Sequence, residues 1–545
     1  MKTSSESPIE RQLADFFNDR SGLSKEQKNI FRNTVFRLIR ALREGHSCIY
    51  LGSDELSTFA GCRLVSDSRH TPLVLSGRRL YLARYYHYEL RLAEQLSRLA
   101  KVYNPHENRF RLLDLCFGED KGTVDWQREA AIIALSKGLC IISGGPGTGK
   151  TSTVVKIIGL LLTHYGTDTR IAVAAPTGKA AMRLRKSIIQ HIPSLPLESA
   201  IKKAMPTEAQ TLHRLLGSRR LSPRFIHNSD NPMPWDVIIV DEASMVDLAL
   251  MSKLVDALHQ DSKLILLGDH DQLASVETGA VLADCIKAVP GNVVELKKTW
   301  RFNDQIAQFA ALVNMGDAEA AWEMVAAESV SAIRKSDSQW LAEAVERYTC
   351  YMEKAQKISR ADELAFLFES FDGYQILCAV RHGPRGVSQI NNQIEKYLTL
   401  QGYDCRNNEW YRGRPIIITR NDYHLELYNG DIGICMPDPD NQGEPAIWFE
   451  QGEGRFRSIL PVRLPPHETV WAMTVHKSQG SEFQEVLVVL PEEDSPVLSR
   501  ELLYTAITRA RNRVSVLSDK SVCETAIFRK TARCSGLAER LMEVG

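Results

Sequence analysis

CIISGGPGTGKTSTVVKIIGLL, residues 140–161, runs from a short apolar segment through a glycine-rich turn into an apolar segment with helical spacing. A strand that short, bounded by glycine and followed by a helix, suits a buried parallel sheet. Gly144, Gly145, Pro146, Gly147, Thr148, Gly149, Lys150 and Thr151 satisfy the pattern GxxxxGK[ST] in full. The glycines let backbone N–H groups converge on phosphate oxygens, and the helix after them turns its positive end to the same point. Lys150 is expected to reach the β- and γ-phosphates, and the Thr151 hydroxyl to ligate Mg²⁺. The stretch therefore predicts an α/β fold around a nucleoside triphosphate site with Mg²⁺ as its metal cofactor.

Further along, RIAVAAP (170–176), DVIIVDE (236–242) and KLILLGD (263–269) are apolar runs that each end in a polar or glycine-containing turn. Parallel strands look like this when the loops at their carboxyl ends carry the site. Asp241 is expected to hold Mg²⁺ and Glu242 to polarise the attacking water. Asp269 is followed by His270, Asp271 and Gln272, and Gln272 is expected to sense the γ-phosphate or the water. Gln127, 17 residues before the loop, either reads the edge of adenine or is an ordinary surface amide. A second α/β pattern begins near Arg301, with strand candidates YQILCAV (374–380), EVLVVLP (485–491) and RVSVLSD (513–519). It carries Arg509 in LYTAITRAR, while Arg301 stands in KKTWRF. A departing γ-phosphate spreads negative charge that an arginine from a second domain stabilises. Cleavage of one nucleotide touched by both arginines would drive relative motion of the two α/β domains.

The spacing divides the chain into a docking domain (1–115), a first motor domain (116–300) and a second motor domain (301–545). Within the last, about 408–466, runs such as RGRPIIITRND and YNGDIGICMPD alternate with Asn-Gly and Pro-Asp turns and predict a small inserted β-barrel. The 67 basic and 67 acidic residues cancel, so a nucleic-acid partner would need a local basic groove. Eleven cysteines without a CxxC pair suggest neither a disulfide framework nor a zinc site, and fit a reducing compartment. The start, MKTSSESPIERQ, lacks the apolar core of a secretion signal, and no run is long and apolar enough to span a membrane. A cytoplasmic protein is expected.

Nine segments in order, DWQREA, GGPGTGKT, APTGKAA, TLHRLL, VDEASMVD, GDHDQLASVETG, KKTWRF, TVHKSQGSEF and LLYTAITRAR, resemble the motifs of superfamily-one helicases. TLHRLL and QLASVETG are similar to the branch that moves 5′→3′. GDHDQLASVETGAVL, WAMTVHKSQGSEF and RELLYTAITRAR most resemble the RecD family, the helicase subunits of RecBCD (exonuclease V) assemblies. PLVLSGRRLYLARYYHYE resembles that family's docking domain, which contacts RecC. The resemblance implies two RecA-like P-loop domains, ATP-driven 5′→3′ movement on single-stranded DNA, and RecB and RecC as partners in the repair of DNA ends. It assigns nucleotide roles to Lys150, Thr151, Asp241, Glu242, Gln272, Arg301 and Arg509. It also implies that Pro176, Thr177, Lys179, Thr474, His476 and Lys477 face the phosphate backbone and that Glu482 reaches a sugar hydroxyl. Hydroxyls, N–H groups and single cations grip phosphates without reading bases, as a motor on any sequence requires. Each of these positions also suits a helix cap or an exposed loop, and His476 suits a structural role equally. No carboxylate cluster with a partner lysine stands outside the motor, so no nuclease site is expected. A stand-alone or conjugative helicase of the same kind remains open, as does a non-catalytic nucleotide-binding scaffold, against which Lys150, Glu242 and Arg509 argue.

Overall fold

The computed structural model describes residues 8–66, 71–101, 109–118, 124–219, 222, 224–297, 304–327, 331–336, 339–358, 360–405, 409–422, 424–452 and 454–544. The N-terminal part builds a small antiparallel sheet of β1 (Ile49–Tyr50), β2 (Leu73–Ser76) and β3 (Arg79–Leu82), ordered β1-β3-β2. The two-residue Gly77-Arg78 turn joins β2 to β3, with Gly77 at φ +57°. The helix Ala83–Leu99 follows directly, and its buried stripe, Leu92, Leu96 and Leu99, enters the core of the next sheet rather than closing the N-terminal unit on itself.

That next sheet is wholly parallel. It comprises β4 (Leu139–Ser143), β5 (Ile171–Ala175), β6 (Gln210–Thr211), β7 (Val237–Val240), β8 (Lys263–Gly268) and β9 (Val293–Glu295), in the order β6-β5-β7-β8-β4-β9. Side chains alternate between two cores: Leu139, Ile141, Ile238 and Leu264 face one, Cys140, Ile142, Ile239 and Ile265 the other. Because helices cover both faces, every residue of these strands needs an apolar neighbour, which is why they read as unbroken apolar runs.

After β10 (Ile333–Lys335) and β11 (Tyr374–Cys378) the chain departs into β12 (Pro415–Ile418), β13 (Ile432–Pro437), β14 (Pro445–Gly452), β15 (Arg455–Ile459) and β16 (His467–Thr469). It returns as β17 (Ala472–Thr474), β18 (Phe483–Val489) and β19 (Ala510–Leu517) to complete a parallel sheet ordered β10-β19-β18-β11-β17. The inserted strands pair antiparallel as β15-β14-β13-β12-β16 around Ile416, Ile418, Cys435, Ile447 and Phe449. Among the described residues β15 and β16 remain unpaired edges. The insertion is therefore an open sheet, where the turn spacing suggests a closed barrel.

The expected second motor domain, 301–545, loses its end. After the helix Lys520–Phe528 the chain crosses back, and the helix Leu537–Val544 buries Leu537 and Leu541 in the core shared by Leu92 and Leu96. An amphipathic helix of two turns cannot bury its stripe alone, and the groove between helices Ala83–Leu99 and Val281–Ala288 supplies the missing wall. Among the described residues no helix is long and apolar enough to cross a membrane.

Candidate functional site

The glycine-rich loop leaves the carboxyl end of β4 and enters the helix Lys150–Tyr165 through Gly149, at φ +86°. Any other residue would be strained there. A methyl group built on Gly149 would lie 2.7 Å from Gln127 Nε2, so the Gln127 amide sits against the loop. The Lys150 ammonium donates to the carbonyls of Gly144 (2.5 Å) and Gly145 (3.0 Å), and the Thr148 hydroxyl to that of Gly145 (2.8 Å). Pro146 and Gly147 complete the turn, and half-buried Thr151 follows Lys150 in the first turn of the helix.

Two strand ends away, β7 delivers Asp241 and Glu242. Glu242 adopts φ 52° and ψ 41°, a left-handed conformation costly for a residue with a Cβ. The Asp241 carboxylate accepts the Glu242 N–H at 2.8 Å. Burial, reinforced by the Glu242 charge, pushes the Asp241 carboxyl up to about 6, while Lys150 and Arg183 pull the other way. From β8 comes Asp269, buried and serving three donors. Its Oδ2 accepts from Gln272 Nε2 and from the Tyr504 hydroxyl, both at 3.0 Å, and its Oδ1 from the Asp271 N–H at 3.0 Å. Asp269, His270 and Asp271 bring ligand atoms within 4.8 Å of one another. Those groups already engage Gln272, Tyr504, Ser143 and Asn314, which disfavours an ion there.

The second parallel sheet meets this edge through the helix Arg500–Ile507. The Thr505 hydroxyl accepts the Leu273 N–H (2.9 Å), and the Gln479 amide donates to the Leu273 carbonyl (3.0 Å). Arg509 is 1% exposed. Its Nε donates to the Thr505 carbonyl (3.1 Å) and its Nη1 to that of Ser481 (3.3 Å), while Nη2 is buried without a hydrogen-bond partner among the described residues. Burial pulls this guanidinium below its ordinary value, opposed by Glu242, Glu482 and Asp269. The structure thus gathers the Lys150 loop, Asp241, Glu242, Gln272 and Arg509 at one seam, whereas Arg301 lies outside the described residues. An orphaned buried guanidinium beside the Glu242 and Asp269 charges suits an added anion such as a triphosphate, and the Thr151 hydroxyl and Asp241 carboxyl are the hard oxygen donors that Mg²⁺ takes.

The residues expected to face a DNA strand fall on the passage from β5 into the helix Gly178–His191 and on the turn after β17, which meet where Gly480 approaches Ala180; a methyl on Gly480 would lie 3.6 Å from the Ala180 Cβ. Pro176 and Thr177 follow β5, and the Thr177 hydroxyl caps the next helix by accepting the Ala180 N–H at 3.2 Å. Burial lowers the Lys179 ammonium's pKa, opposed by Asp372 and Asp431, whose own carboxyls burial pushes up to about 6. On the other side, Thr474 caps its turn by accepting the Lys477 N–H at 3.4 Å, and the Lys477 ammonium pairs with Glu468 at 2.8 Å. His476 is half-buried, and burial favours its neutral form. Glu482 is held by Arg183 of the helix Gly178–His191 and by Arg511.

Four participants escape the motif spacing. Tyr504 and Arg183 reach across the seam, Tyr428 of the insertion lies on Gly178, and Arg533 of the C-terminal tail donates to the carbonyls of Ser275, Glu277 and Gly279. Tyr504 stands within LYTAITRAR, a segment that does carry a signal. The others make contacts hundreds of residues apart that no local spacing encodes.

Residues 127–278 match a family model described as an AAA domain, and residues 469–517 one described as a UvrD-like helicase C-terminal domain. The RecBCD enzyme subunit RecD of Mycolicibacterium smegmatis is 39% identical over 531 residues, 93% of each chain. The Haemophilus influenzae protein of that name is 33% identical over 87% of this chain and 82% of its own. The ATP-dependent RecD2 DNA helicase of Deinococcus radiodurans is 31% identical over 74% of this chain but only 50% of its own length.

Proposed function

The chain belongs to the RecD family of RecBCD enzyme subunits, and from that premise we propose that it is the ATP-dependent DNA helicase motor of such an assembly. The observation that carries the reading is Arg509, buried at the seam beside Glu242 and Asp269. An arginine from one parallel sheet that completes the hydrolytic edge of another makes hydrolysis depend on how the two units sit.

When bound, ATP with Mg²⁺ supplies the phosphoanhydride bond whose cleavage drives the cycle. The loop's N–H groups hold the phosphates, and Lys150 exchanges its carbonyl partners for phosphate oxygens. Thr151 and Asp241 would hold Mg²⁺, and Glu242 orients the attacking water. Gln272 reads the γ-phosphate position, and Arg301 and Arg509 stabilise the charge that develops there. Gln127, against the loop, reads the adenine edge. Pro176, Thr177, Lys179, Thr474, His476 and Lys477 line the path of the strand, with Glu482 at its sugar, and the inserted sheet at Tyr428 covers it. Residues 1–115 dock the chain to RecC, with RecB the third subunit, and 116–300 and 301 to about 529 form the RecA-like motor pair. The movement is 5′→3′, on DNA ends, in the cytoplasm.

The stand-alone reading is weaker: the match to the RecD2 helicase spans half of that protein, whereas the match to the mycobacterial RecD spans 93% of both chains. Unwinding assays with full-length protein test the assignment. Duplexes with a 5′ single-stranded tail should open in the presence of ATP and Mg²⁺ and those with a 3′ tail should not; the opposite polarity, or none, overturns it.

A further inference from the structure

We propose that Tyr504 is a positioning residue that ties the second α/β unit to the γ-phosphate-sensing Gln272 and to the phosphate loop. The proposal rests on the motor reading above and assigns the seam a specific coupling element. Tyr504 lies on the helix Arg500–Ile507, and Arg509 in the turn that follows it. Its hydroxyl reaches out of its own unit and donates to Asp269 Oδ2 at 3.0 Å, the same oxygen that accepts from Gln272 Nε2 at 3.0 Å. Asp269 is 2% exposed and Gln272 5%, so water cannot replace either donor without opening the seam. The sensor amide and the tyrosine hydroxyl are thereby joined through one buried carboxylate.

The same hydroxyl also abuts the phosphate loop. A methyl group built on Gly145 would stand 2.9 Å from Tyr504 Oη, closer than a real Cβ approaches a neighbour. Gly145 does not have a positive φ, so its lack of a side chain answers this close approach rather than a backbone need. Burial, with the Asp269 charge beside it, keeps the phenol protonated well above its ordinary range, and it remains a donor at any working pH. Movement of the helix Arg500–Ile507, which leads directly into the turn of Arg509, therefore shifts Tyr504 and, through Asp269, the amide of Gln272. Arg509 reports on charge at the nucleotide; Tyr504 aligns the groups that meet it.

The test uses the full-length chain with single-stranded DNA and ATP. Tyr504→Phe removes only one oxygen, leaving Asp269 a donor short. It should lower the kcat of strand-stimulated hydrolysis about tenfold with the KM for ATP within about twofold of wild type. Gly145→Ala, which crowds the same hydroxyl, should lower kcat similarly. The double variant should be no slower than the slower single, because the first substitution removes the very oxygen that the added methyl strikes. A Tyr504→Phe enzyme with unchanged kcat, or single effects that multiply in the double variant, overturns the proposal. An inactive wild type is a different result: it removes the motor reading itself.

Discussion

The Lys150 ammonium is the one cation of the glycine-rich loop 144–151, and it rests on the carbonyls of Gly144 and Gly145. Replacing it should cost catalysis and not folding. Lys150→Gln is expected to lower strand-stimulated ATP hydrolysis by on the order of 10²–10³-fold with an unchanged thermal melt, measured side by side. Arg509 differs because it is buried and bonded to Thr505 and Ser481. Arg509→Lys keeps a charge but loses the planar fork, and should cut kcat by on the order of 10²-fold or more while nucleotide binding, followed by a fluorescent analogue, changes far less. These residues are legible in the sequence because each is fixed by spacing to a strand end. The partnership of Tyr504 with Asp269 is not, since 235 residues separate them and only the docking of two sheets brings them together.

Elements differ in how openly they declare themselves. Buried parallel strands stand out as apolar runs, and the alternation of the inserted strands is equally plain. Edge pairing is decided by strand length and neighbours, so an open sheet and a closed barrel share one pattern in sequence. The C-terminal helix Leu537–Val544 falls to the wrong unit when read by chain order, because its stripe says that it packs and not where. Leu541→Ala, which empties part of the groove beside Leu92 and Leu96, should destabilise the protein by about 2–4 kcal/mol in denaturant titrations. In that groove the helix Val281–Ala288 carries Asp284. Burial pushes its carboxyl from 3.8 up to about 6, opposed by a Ser535 hydrogen bond and aided by the Glu89 charge. A raised carboxyl contributes stability in its protonated form, in full below about pH 4, and this is lost as pH rises through about 6. Asp284→Asn should therefore be more stable than wild type above pH 7, by on the order of 1–2 kcal/mol in denaturant titrations, and the difference should vanish only below about pH 4.

Across the whole molecule, the segment Leu273–Gly279 joins three parts. Leu273 bonds to Thr505 and Gln479 of the second unit, Thr278 and Gly279 to Leu42 and Gly45 of the N-terminal unit, and Ser275, Glu277 and Gly279 to Arg533 of the tail. The N-terminal unit, the C-terminal tail and the seam thus bear on the same few residues. Arg533→Ala removes three hydrogen bonds from that segment and should reduce strand stimulation of hydrolysis more than hydrolysis without DNA, in parallel steady-state assays. The central idea is that cleavage at the seam moves the two parallel-sheet units against each other. Spin labels on Cys350, exposed in the second unit, and on Lys203→Cys in the first report it directly by their separation. The separation should shift by several ångströms when a non-hydrolysable ATP analogue binds and return with ADP, and Lys150→Gln should abolish the cycle. A separation that stays the same through every nucleotide state would contradict the account.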